Sequence, residues 1–284
     1  MTSPVGDSVV RIVHVYPNLL GTYGDAGNAI VLRGRLQLRG LPCELVPVEP
    51  GEALPREGDV YLLGGGEDAK QTAAAQMLRA DGALVAAAQR GAAVLGICAG
   101  YQLLGTAFLG VGGVPTEGLG LLDVTTGRLE RRAVGNVLAR ALPLPVGAPL
   151  PDLIGFENHG GATTLGPAAA PLAEVEVGVG NGVPDAAGVR TEGAVQGAVF
   201  GTYLHGPALA LNPALADLIL SAVTGPLEPI DDSLAVALRY HRRHHVLPAT
   251  ERASRARSVV NRLRRKDSAP SGASASLSGP LGGH

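Results

Sequence analysis

The chain has 284 residues, 46% hydrophobic and 17% charged, with a formal net charge of −2, enough to bury one substantial core or two small ones. That balance excludes a general affinity for nucleic acid or anionic membrane, and no apolar run reaches the ~18 residues of a membrane span. The N-terminal MTSPVGDSVV lacks the charged and apolar regions of a secretory signal, and two cysteines, Cys43 and Cys98, cannot form a disulfide framework, so reducing cytoplasm is the expected compartment.

In chain order, VVRIVHVY (9–16) reads as a buried strand. The stretch 22–40 reads as a helix with Asp25 as its N-cap and Gly40 near its end. CELVPV (43–48) is a second strand and DVYLLGGG (59–66) a third, ending in a glycine turn. Residues 67–91 are Ala-rich and helical, broken near Gly82; AAVLGIC (92–98) is a fourth strand, followed by a helix over 99–109. Strands alternating with helices predict an α/β fold, a mostly parallel sheet flanked by helices. Past residue 110 the pattern loosens into Gly/Pro-rich loops with antiparallel additions such as AEVEVGVG (173–180). GAVFGTYLHG (197–206) restores a strand ending in a turn, and NPALADLILSAVTG (212–225) is a capped helix. These elements define a domain over 1–238. Residues 239–266 hold ten of the 23 basic residues against one acid, Glu251. They read as a basic C-terminal helix, either solvated or a docking face for an acidic partner or substrate. The Ser/Gly/Ala/Pro-rich 267–284 reads as a disordered tail.

Gly96-Ile97-Cys98-Ala99-Gly100 has the spacing of a nucleophile elbow. Glycines on both sides let a strand turn sharply into a helix, lifting the sulfur to a helix N-terminus where thiolate is favoured. The Ala99 N–H is placed to donate to an oxyanion, and Gly65 in LLGGGEDAK offers a second backbone donor. A thiolate acting on an amide needs a base that then protonates the leaving amine. Among seven histidines, His205 ends an apolar strand just before Gly-Pro, where reactive sites gather in an α/β sheet. His159 is the alternative; His14 reads as a core residue, and His241, His244 and His245 as solvated. The assignment requires that the sulfur open on a site rather than on hydrocarbon, close to the His205 ring.

Together, YGDAGNAIVLRGR, LLGGGED, GICAGYQLLG, EGLGLLDV, GFENHGG and GTYLHGP resemble class I glutamine amidotransferases of the cobyric acid synthase-like branch. Within it they are most similar to the glutaminase subunit of lipid II isoglutaminyl synthase. The resemblance implies Cys98 as nucleophile, His205 as acid/base and a substrate-binding arginine, best matched by Arg132, with Arg128 and Arg131 leaving the register open. Such a guanidinium can hold an α-carboxylate bidentately. Glu157, Asn158 and His159 either line the glutamine pocket or stabilise a loop. Many amidotransferases orient the histidine with a Glu two residues on; here that position is Pro207, so another group in this chain, a partner's carboxylate or nothing orients His205, with a partner-supplied acid favoured.

Neither Lys70 nor Lys266 follows a glycine, so the chain has no P-loop. It carries no cofactor of its own, and no metal site is expected. The resemblance implies that ATP and Mg belong on a Mur-ligase-like subunit (MurT), which would receive ammonia within a hetero-complex and amidate the D-glutamate of the lipid II stem peptide to D-isoglutamine. The alternatives are the amidotransferase component of another synthase, such as one acting on a corrinoid-type acid, and a non-catalytic binding subunit of the same fold.

Overall fold

The computed structural model describes residues 9–21 and 24–246. The elements are β1 (Val10–Val15), α1 (Gly27–Leu38), β2 (Cys43–Val48), β3 (Val60–Leu63), α2 (Asp68–Asp81), α3 (Ala83–Gln89), β4 (Ala93–Ile97) and α4 (Ala99–Leu104). They continue with β5 (Ala107–Leu109), β6 (Pro115–Glu117), β7 (Val124–Ala141), β8 (Leu153–Leu165), β9 (Ala173–Val177), β10 (Thr191–Glu192), β11 (Ala194–Gln196) and β12 (Val199–Thr202). Three helices close the series, α5 (Ala208–Leu211), α6 (Pro213–Thr224) and α7 (Ser233–His241). Among the described residues no helix is long and apolar enough to cross a membrane.

The first sheet has the order β11-β12-β4-β3-β1-β2, parallel throughout except for β11. Its central strands β3, β4 and β12 are buried along their whole length, as expected when helices cover both faces. On α1, Leu32 and Leu36 are fully buried, each contributing about 2 kcal/mol of apolar burial. The Arg35 guanidinium bonds both Asp217 of α6 and Asp232, which precedes α7, tying three helices together.

Gly82 takes φ +69° and separates α2 from α3, as its position in the Ala-rich run predicts. Two helix expectations shorten. The 99–109 stretch is the six-residue α4 followed by β5, and α1 starts at Gly27, with Ala26 rather than Asp25 at its N-cap. The Asn212 side chain precedes α6 without bonding its N–H groups; its amide instead ties to the Ile154 backbone, and Pro213 opens the helix.

The loosened stretch after residue 110 is a second, mostly antiparallel sheet in the order β10-β9-β7-β5-β6, with β8 also paired to β7. The 18-residue β7 and 13-residue β8 form its backbone. Their register shifts between Arg128 and Ala133: five steps along β7 face two along β8, so residues 129–132 bulge.

At the C-terminal side, α7 runs through residue 238, and the first compact unit ends at His244. The basic residues here are not simply solvated. Arg239 donates to the Leu211 carbonyl and Asn212, Arg242 to Asn136, and Arg243 to Asp152. The expected basic helix beyond residue 246 and the tail at 267–284 lie outside the described residues.

Candidate active site

Cys98 follows β4 directly and precedes α4, with φ +53° and ψ −104°, a conformation rarely adopted by a residue with a Cβ. The flanking glycines make that turn possible. A Cβ on Gly96 would stand 2.6 Å from the Gly100 carbonyl carbon, and one on Gly100 would stand 2.4 Å from the Leu63 carbonyl oxygen. The elbow is therefore a close backbone stack of β3, β4 and α4, as the spacing predicts.

His205 stands three residues beyond the end of β12, on the strand next to β4. Its backbone N–H donates to the Phe156 carbonyl of β8 at 2.8 Å, and the Phe156 ring stacks against the imidazole. The second sheet thus fixes the ring's approach. The ring's Nδ1 lies 3.0 Å from Asp25 Oδ1, and both side chains are fully buried. Asp25 Oδ2 accepts the Gly65 N–H at 2.8 Å. A Cβ on Gly65 would stand 3.0 Å from Asp25 Oδ2, 3.1 Å from His205 Cε1 and 3.5 Å from Cys98 Cβ. Any side chain there would fill the space shared by the three groups.

Three expectations change. Asp25 is a positioning residue for His205 rather than a helix cap, so the carboxylate comes from within the chain, where a partner's acid was expected. The Gly65 N–H is committed to Asp25 and does not face the cavity as an oxyanion donor. The third concerns ionisation. Burial, and after it the Asp25 carboxylate, push the Cys98 thiol up to about 12, against the Ala99 N–H and the Arg132 charge, which act the other way. The six-residue α4 is too short for its dipole to offset that desolvation. The sulfur rests as a thiol. The Ala99 N–H donates to it.

Cys98 is 8% exposed, and the cavity it opens on is small, about 140 Å³, and largely polar. Gly66, Asp68, Gln71, Gln102, Arg128, Arg132 and His159 line it. The sulfur is not enclosed by hydrocarbon. Of the three arginines left open by register, Arg128 and Arg132 reach the cavity and Arg131 does not line it. Arg132 sits in the β7 bulge, its guanidinium held by the Asn158 side chain at 2.6 Å and backbone carbonyl at 3.1 Å.

The GFENHGG segment divides its labour. Glu157 accepts the Val179 and Gly180 N–H groups at 2.8 Å each and stabilises that loop. Asn158 holds Arg132. His159 lines the cavity with its ring stacked on Tyr203 at 3.7 Å. His14 is buried within β1, and desolvation lowers its pKa, as suits a neutral core histidine. Gln71 and Gln102 were missed by sequence reasoning. Gln71 Nε2 donates to Gln102 Oε1 at 2.8 Å and Gln102 Nε2 donates to the Tyr203 hydroxyl at 3.2 Å, a buried amide pair on the cavity wall.

A family model for the CobB/CobQ-like glutamine amidotransferase domain matches residues 11–213. Lipid II isoglutaminyl synthase (glutamine-hydrolyzing) subunit GatD of Staphylococcus aureus is 34% identical over 218 residues, covering 74% of this chain and 83% of the relative. Its Streptococcus pneumoniae counterpart is 32% identical over 210 residues, covering 73% and 77%. A cobyric acid synthase of Sphingopyxis alaskensis is 37% identical over 188 residues, covering 63% of this chain but 35% of the synthase. A strained cysteine at a parallel strand's end, beside a carboxylate-held imidazole, suits amide hydrolysis. The chain belongs to the CobB/CobQ-like glutamine amidotransferase family and is a glutamine amidotransferase.

Proposed function

We propose that this chain is the glutaminase subunit of a lipid II isoglutaminyl synthase. The observation that carries the catalytic part is the buried Asp25–His205 pair meeting Cys98 across Gly65, at the edge of a cavity too small for a peptide.

Glutamine enters with its α-carboxylate on Arg132 and its carboxamide carbon at Cys98. His205 takes the thiol proton as the sulfur attacks, so no free thiolate has to persist in the desolvated site. The imidazolium then lies beside Asp25, which stabilises it and holds the ring in one orientation. The tetrahedral oxyanion is received by the Ala99 N–H and by the backbone of Gly66, the glycine of that loop lining the cavity. His205 returns the proton to the leaving ammonia, and water hydrolyses the γ-glutamyl thioester to glutamate.

The ammonia passes to a Mur-ligase-like partner that binds ATP and Mg and amidates the D-glutamate of lipid II to D-isoglutamine in the cytoplasm. The S. aureus and S. pneumoniae relatives support this reading: the chain spans most of their length, whereas it spans about a third of the cobyric acid synthase. Co-purification with the ligase subunit, followed by a glutamine- and ATP-dependent lipid II amidation assay, tests it. Amidated lipid II is the expected product. Ammonia release without any amidation, or stable pairing with a corrinoid-type synthase instead, would reassign the acceptor.

A further inference from the structure

Of the residues lining the Cys98 cavity, Asp68 is the one carboxylate, and two guanidinium groups, those of Arg128 and Arg132, line it as well. An amino acid is a zwitterion, and a site with cations alone would read only half of it. We propose that Asp68 binds the α-ammonium of glutamine and so makes the site selective for an amino acid over a simple amide acid. This deepens the glutaminase reading and rests on it.

The position supports the assignment. Asp68 is the first residue of α2, on the first-sheet side of the cavity, whereas Arg128 and Arg132 come from β7 of the second sheet. A small molecule lying between Asp68 and Arg132 has its two charged groups approached from different elements of the fold. Asp68, Arg132 and Cys98 line the same small cavity, so both charged groups lie within reach of a molecule seated on the sulfur. With no substrate present, Asp68 Oδ2 accepts from Arg128 at 3.0 Å, and both side chains are 55% exposed. A solvent-exposed pair of this kind is weak. It opens readily, so the carboxylate can take a substrate ammonium in place of, or beside, the guanidinium. Arg132, held separately by Asn158, stays free for the carboxylate end. The division explains why two arginines line one small cavity: Arg132 takes the substrate carboxylate, and Arg128 is only the resting partner of Asp68, displaced when the ammonium arrives.

The test uses full-length chain, with the ligase subunit present, and two substrates: L-glutamine and glutaramic acid, which is glutamine without its α-amino group. Ammonia release is followed for wild type, Asp68→Asn and Arg128→Ala. Asp68→Asn is expected to lower kcat/KM for L-glutamine about ten- to a hundredfold, through KM, the usual range for one charge-assisted bond. It should leave the rate with glutaramic acid within about twofold, collapsing the preference for the amino acid. Arg128→Ala removes the resting pair without removing the carboxylate and should preserve the preference. Equal losses on both substrates for Asp68→Asn, or an unchanged preference, would overturn the assignment. So would a matching collapse in Arg128→Ala, since the preference would then belong to the pair. Absence of ammonia from both substrates with wild type would instead defeat the glutaminase reading itself.

Discussion

The two walls of the active site are built on opposite principles. On one wall Cys98 and His205 stand just beyond strands of the parallel sheet, with Asp25 reaching them from the turn before α1, all three almost wholly buried. On the other wall Arg128 and Arg132 are exposed and carried by a bulged antiparallel hairpin. Bond-breaking chemistry requires fixed angles and little water, which a buried strand end supplies. Holding the charged head of a soluble substrate requires access and some freedom of side-chain motion, which a bulge supplies.

The sharpest way to break this contrast is on the buried wall. Cys98→Ser should reduce ammonia release to background while the thermal unfolding midpoint stays close to wild type; residual turnover would remove the nucleophile from its role. Asp25→Asn should lower kcat at least about a hundredfold with KM little changed, because the amide cannot stabilise the imidazolium. Steady-state kinetics on the isolated chain and on its complex separate this from an acid supplied by the partner: rescue on complex formation would show that the partner's carboxylate matters after all.

The exposed wall should respond differently. Arg132→Ala should raise KM for glutamine roughly tenfold or more with a smaller change in kcat, whereas Arg131→Ala should change neither appreciably. A kcat effect as large as that of Asp25→Asn would erase the distinction between the walls. The resting thiol offers a check of another kind. Because burial raises the Cys98 pKa to about 12, the thiolate fraction of free enzyme grows about tenfold per pH unit from neutrality upward. Iodoacetamide alkylation without glutamine should climb accordingly between pH 7 and 10; a plateau near neutral pH would mean that the thiolate is already formed at rest.

The elbow and the histidine were legible in the sequence because their signals are local. Glycines two residues either side of Cys98 have few other uses, and an apolar strand halted by Gly-Pro marks a strand end at His205. Asp25 was misread for the same reason. An acid just before a helix satisfies the local grammar of a cap, and nothing nearby reveals a partner 180 residues away. The thiol's protonation state was equally hidden, since the spacing that predicts the turn says nothing about how much water remains around the sulfur. The second sheet was read as loops with a few antiparallel pieces because glycines and charges interrupt the alternation of β7 and β8. Those interruptions are the bulge and the cavity wall themselves. The resemblance favoured Arg132 without excluding Arg128 and Arg131, because a bulge decouples side-chain direction from residue parity.

One backbone bond has a practical corollary. Phe156, which grips the His205 amide and stacks on its ring, is two residues from Asn158, which grips Arg132, on the same strand β8. Transplanting this hairpin to retune which amide is hydrolysed would therefore also re-aim the proton carrier, and a chimera exchanging one without the other would inherit a misaligned imidazole.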